Sequence, residues 1–104
     1  MSNMNELMRQ AARVQRRIQQ IHEEMKQKTW TAKVVGDKVS ATVTGERKVQ
    51  SIEVDPEFFK TEERDVVLDS IAAAINAASE LAEKEIEGAV SVATGGLKIP
   101  GLTG

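Results

Sequence analysis

No cysteine occurs in this chain, which excludes disulfides and thiolate metal sites and fits a cytosolic address. Tyrosine is also missing, and His22 is the single histidine. Without a convergent acid–base set there is no nucleophilic triad, no zinc site and no dinucleotide fingerprint, and the chain does not read as an enzyme. Aromatic residues are reduced to Trp30, Phe58 and Phe59, so the core has to be mostly aliphatic. A small aliphatic core invites help from a partner subunit. No apolar run approaches the roughly 20 residues of a membrane span. The opening Met-Ser-Asn-Met-Asn-Glu lacks the basic and apolar regions of a signal peptide. These absences predict no membrane partner, no cofactor, no metal and no small-molecule substrate.

What is present begins with a helix. Met4, Leu7, Ala11, Val14, Ile18, Ile21 and Met25 recur at alternating spacings of three and four, and neither Pro nor Gly interrupts residues 1–28. The pattern predicts one long amphipathic helix with a narrow apolar seam. Arg9, Arg13 and Arg16, with Arg17 beside them, lie opposite that seam. The net charge of −2 hides a polarity: residues 1–28 carry +3, residues 29–55 are neutral and residues 56–104 carry −5. A row of guanidiniums on a rigid helix can neutralise several phosphates of a duplex, which carries one charge per ~1.7 Å of axis. The plainer alternative is a solvated face paired with acids of a later helix. Lys26 and Lys28 are weaker candidates because Glu23 and Glu24 are near.

After Lys28 the period changes to two. Thr29–Val35, Lys38–Thr44 and Lys48–Val54 read as strands, with hairpin signals at Gly36-Asp37 and Gly45-Glu46. Val39, Ala41 and Val43 share one face, and Ile52 and Val54 one face of the third strand. Asp55-Pro56 closes that strand. A second long helix is predicted from Thr61 as N-cap, with Glu62 and Glu63 in its first turn. Its stripe is Leu68, Ile71, Ile75, Ala78 and Ala82, extended by Ile86 and Val90 past Gly88. The fold class is α+β, in the order α-β-β-β-α, with a three-stranded antiparallel sheet and two long helices. Residues 1–94 form a single domain, and 95–104 a Gly/Pro-rich tail. A first helix of about 25 residues runs roughly 37 Å, while strands of six or seven residues run about 23 Å. The helix therefore outruns its sheet, and a second copy of the chain is the economical cover for the rest of the seam.

Several single residues have plain structural readings. Trp30 is expected to anchor helix to sheet, His22 to flank the seam, and Asn76 to hydrogen-bond a loop or the partner subunit. Asp65 with Asp69, and Glu83 with Glu87, read as solvated acids. Gly95-Gly96-Leu97-Lys98 lacks the spacing of a phosphate-binding loop, and Lys98 as an extra DNA contact has no further support.

Together these segments resemble the YbaB/EbfC family of small bacterial nucleoid-associated proteins. The resemblance rests on Leu7-Met8-Arg9-Gln10-Ala11 and the Gln-rich stretch after it, and on the strand pair Val39 to Val54 broken at Thr44-Gly45. It continues in Ile52-Glu53-Val54-Asp55-Pro56, Ile71-Ala72-Ala73-Ala74-Ile75-Asn76-Ala77-Ala78 and Gly96-Leu97-Lys98-Ile99-Pro100-Gly101. One departure is Val34-Val35-Gly36-Asp37, where many members carry a glycine-rich segment. The resemblance implies a cytoplasmic, nucleoid-located homodimer, tweezer-like, that binds double-stranded DNA with low sequence preference. DNA contact is then expected at Arg9, Arg13, Arg16 and Arg17, and the dimer or core seam at Leu7, Ala11, Val14, Ile18, Ile21 and Met25. The competing expectation is a protein-interaction module that docks through the first helix without touching DNA.

Overall fold

A computed structural model describes residues 3–95 of the chain. The glycine- and proline-rich tail from Gly96, with Lys98, lies outside the described residues. Helix α1 (Asn3–Lys26) leads into strands β1 (Thr29–Val34), β2 (Val39–Thr44) and β3 (Val49–Val54). A one-turn helix α2 (Pro56–Thr61) and the long helix α3 (Arg64–Ala93) follow. The strands form an antiparallel sheet in the order β1-β2-β3. The α-β-β-β-α order and the α+β class therefore hold, with one short helix added.

That addition corrects the predicted start of the second helix. Thr61 caps nothing; its hydroxyl donates to the Glu57 carbonyl at 2.8 Å. The N-cap is Asp55, whose carboxylate accepts from the Phe58 amide at 3.1 Å, and Pro56 occupies the first helical position. Asp followed by Pro both ends the strand and starts a helix, because proline's fixed φ suits the first turn and its missing N–H is unpaired there anyway. Glu62 closes α2 and Glu63 precedes α3, so neither lies in a first turn. α3 then runs unbroken through Gly88.

Both hairpins turn where the sequence places them, around Gly36-Asp37 and Gly45-Glu46, and the second has a register irregularity between Thr42 and Val43. Val34 pairs with Val39, as a Gly36-Asp37 turn requires. Val35, Gly36 and Asp37 all take positive φ, at 54°, 59° and 66°, and the Lys38 N–H donates to the Val35 carbonyl at 3.2 Å, closing the turn around Gly36-Asp37. The second turn spans Gly45–Arg47, with Thr44 N–H donating to the Lys48 carbonyl at 2.9 Å. Its left-handed residue is Arg47, at φ 67°. Gly45 serves a different end. A Cβ there would collide with the Met25 carbonyl oxygen, and its N–H donates to the Lys28 carbonyl at 3.2 Å. The turn is thus pressed against the end of α1. Gly45→Ala is expected to cost about 1–3 kcal/mol of overpacking, seen as a lower urea midpoint; an unchanged midpoint would contradict this packing.

The core forms three connected groups along α3. Near its start, Val67 and Ala74 pack with Val39, Ala41 and Phe58. In the middle, Ala78 and Ala82 lie on Ala32 and Val43. Beyond the sheet, Ile86 and Val90 meet Ile18, Ile21 and Met25 of α1. Trp30 touches both of the last two groups, joining helix to sheet as expected. The predicted stripe needs one correction: Val67 and Ala74 point inward, while Leu68 is 50% exposed. The reason is placement, since α3 rests over β1 and β2 and leaves its Leu68 flank uncovered.

The molecule is elongated, 72 × 21 × 17 Å. Val14 and Ala93 are the outermost apolar residues of α1 and α3 packed against the last of these groups, and α3 ends at Ala93. Residues Asn3–Arg13 therefore extend past the body by roughly 16 Å. The seam splits accordingly. Ile18, Ile21 and Met25 are buried within the chain, Val14 is half-buried, and Leu7 and Ala11 are exposed. No helix among the described residues is long and apolar enough to cross a membrane.

Candidate nucleic-acid interface

The candidate interface is the outer face of α1. An uninterrupted helix places residues 9, 13 and 16 on one stripe, because side chains three and four apart are neighbours on a helix surface. Arg9, Arg13 and Arg16 line one shallow hollow together with Glu6 and Ala12. From Arg9 to Arg16 the stripe covers about 10 Å of helix axis. All three are exposed, and among the described residues none takes part in an ion pair. Glu6 sits in the first turn of the helix, where the dipole favours an anion.

Arg17 differs from its neighbours. Its guanidinium lies 3.6 Å from the Glu24 carboxylate and donates to the Gln20 side-chain oxygen at 3.4 Å. The signal was present in the spacing: residues 17 and 24 are two turns apart on one face. Arg17 lines the adjoining hollow with Arg13, Arg16 and the acids Glu23 and Glu24. It stands at the acidic border of the stripe rather than inside it.

The acids of α3 do not neutralise the arginine row. Glu83 pairs with Arg47 of the β2–β3 turn at 2.9 Å, and Glu85 with Lys28 at 3.2 Å. These two ion pairs strap the turn and the α1–β1 junction to α3. Lys26 pairs with Glu23 at 3.0 Å. That hydrogen bond to the Glu23 carboxylate, with its charge, holds the Lys26 ammonium above the usual lysine range. Lys26 and Lys28 are thus already engaged, in keeping with their lower rank as candidates. The exposed pairs have little energetic weight for folding, but they decide which cations remain available.

Of the other singled-out residues, His22 is exposed beside buried Ile21. Asn76 is exposed too, and its side chain makes no hydrogen bond among the described residues, so the expected bond to a loop is not formed.

Comparison with known proteins gives a consistent picture. The sequence profile of the YbaB/EbfC DNA-binding family matches residues 1–97. A nucleoid-associated protein of Clostridium acetobutylicum is 39% identical over 100 residues, covering 96% of this chain and 89% of that protein. A nucleoid-associated protein of Thermoanaerobacter is 37% identical, with 96% and 90% covered. Among solved structures, an uncharacterized protein of Helicobacter pylori shares the fold. It superposes with a TM-score of 0.57 at 18% identity, over 67% of this chain and 81% of that one.

Proposed function

This chain belongs to the YbaB/EbfC DNA-binding family, and on that premise we propose that it binds double-stranded DNA as a homodimer in the nucleoid, through α1. The observation that carries the reading is the stripe of Arg9, Arg13 and Arg16, exposed and unpaired among the described residues. Two of the three, Arg9 and Arg13, stand on the part of α1 that overhangs the body. The names of the relatives support the nucleoid as its location.

The chemistry follows from charge. Guanidiniums donate to phosphate oxygens bidentately and displace condensed counterions, which favours binding without reading bases. Phosphate contacts position a protein on the duplex but carry no sequence information directly. Any preference therefore comes from groove width or ease of bending. The acidic remainder of the chain, −5 over residues 56–104, repels the duplex and orients the approach so that α1 meets it first. No catalytic step belongs to this reading.

A mobility-shift titration on random duplex across a salt series tests it. Three free arginines on each of two copies give about six phosphate contacts, so log affinity is expected to fall against log salt with a slope near −5. Between 50 and 200 mM salt the loss is about a thousandfold. A flat salt response would overturn the mechanism.

A further inference from the structure

We propose that the C-terminal tail of this chain, residues 96–104, docks on the overhanging seam of α1 formed by Met4, Leu7 and Ala11, with Leu97 and Ile99 as its contact residues. The tail is then a brace that keeps the end of α1 helical. The cover itself does not depend on DNA binding. Its consequence, that Arg9 and Arg13 are held in one line for phosphate, rests on the proposed function.

The need for a cover comes from the way α1 outruns α3. Ile18, Ile21 and Met25 are buried with Ile86 and Val90, and the same stripe continues into Ala11, Leu7 and Met4, which are exposed. Met4 is 69% and Leu7 61% exposed. Most helical stability in a protein comes from packing of an apolar face rather than from propensity. Left uncovered, this arm frays from its N-terminus, and the two arginines on it lose their shared direction.

Position, length and pattern select the tail as the occupant. α3 ends at Ala93, which packs with Val14 against the same group, so the chain leaves the helix where the seam becomes bare. Gly95 takes φ 67° and its N–H donates to the Val92 carbonyl at 3.1 Å, which ends the helix and turns the backbone. About 16 Å of bare helix lies beyond, and residues 96–104 reach about 30 Å when extended. Leu97 and Ile99 alternate and so share one side of an extended segment. Ile99 also precedes Pro100, which favours extension there. At about 3.3 Å per residue, Leu97 comes level with Ala11 and Leu7, and Ile99 with Leu7 and Met4. Two rival occupants fit less well. The seam lies opposite the arginine stripe, so a duplex held by Arg9 and Arg13 does not touch it. A second α1 on the seam sets one +3 segment against another.

Amide hydrogen exchange on the full chain, free of DNA, tests the brace. Leu97→Ser combined with Ile99→Ser is expected to speed exchange of the amides of residues 7–13 at least ~10-fold, while those of residues 18–25 stay protected. Global unfolding is not the readout, because docking of a tail is a local equilibrium outside the cooperative body. Unchanged exchange at residues 7–13 overturns the proposal. Disulfide trapping checks the position, since the chain has no cysteine of its own. Ala11→Cys with Leu97→Cys is expected to close within one chain about 10-fold faster than Ala12→Cys with Leu97→Cys, because Ala12 lines the arginine hollow. Equal rates overturn the proposal. So does a bond between two chains, whether from the pair or from Ala11→Cys alone, since it puts another copy on the seam. Neither measurement contains DNA, so a failed mobility shift overturns the DNA-binding reading and leaves this inference standing.

Discussion

Replacing Arg13 and Arg16 together by glutamate is expected to lower affinity for duplex DNA by at least about 4,000-fold at 0.1 M salt. In a dimer the change removes four phosphate contacts, and each is worth about eightfold at that salt concentration through counterion release. Repulsion by the new carboxylates adds to the loss. The slope of log affinity against log salt is expected to flatten from near −5 to near −2. Neither arginine makes an ion pair among the described residues, and both are exposed, so melting temperature and dimer mass are expected to be unchanged. Arg17→Ala is expected to have a smaller effect than Arg13→Ala, because Glu24 already engages the Arg17 guanidinium. Titration of all variants by mobility shift or anisotropy checks the order. Wild-type affinity in the double variant would remove α1 from the interface.

Ile18→Asp has the largest expected effect on folding, a loss of about 3–5 kcal/mol. Ile18 is 5% exposed and packs with Ile21, Met25, Ile86 and Val90. Substitution removes the transfer energy of the isoleucine, about 2 kcal/mol, and forces a carboxyl into an apolar contact. A domain of this size has roughly 5–15 kcal/mol of stability in all, so the melting temperature is expected to fall by about 15–30 °C. Leu7→Asp belongs to the same seam but faces solvent, and its effect on unfolding is expected to be within about 0.5 kcal/mol. Urea denaturation followed by circular dichroism compares the two. Equal effects would mean that the seam is not divided at Val14.

That division marks where sequence reading stopped. Seven residues from Met4 to Met25 share one period, and nothing in their spacing separates Leu7 from Ile21. The separation comes from α3, which ends at Ala93 and so covers α1 only from Val14 onward. Periodicity reports which face avoids water but carries no information about what covers it. Leu68 and Val67 make the same point on α3. They are adjacent, both apolar, and their roles depend on which strands lie beneath. The short helix α2 was legible in Asp55-Pro56-Glu57-Phe58, where a strand-ending signal is also a helix-starting one.

The candidate site was legible in larger measure. Arg9, Arg13 and Arg16 were placed on one stripe by helical spacing alone, since an uninterrupted helix leaves side-chain direction no freedom. Their availability required the tertiary fold, because the acids able to neutralise them had to be assigned to other cations. Glu83 and Glu85 are drawn off by Arg47 and Lys28, residues 36 and 57 positions away in the chain.

The order of the elements, the positions of the two turns, the amphipathic helix and the concentration of positive charge on it were all legible in the chain. Each of these follows from interactions between near neighbours or from a fixed backbone period. It was packing between elements that settled which half of the seam is core and which cations take up the acids of α3. Those properties depend on where one element ends against another, a distance set by packing between residues far apart in the chain.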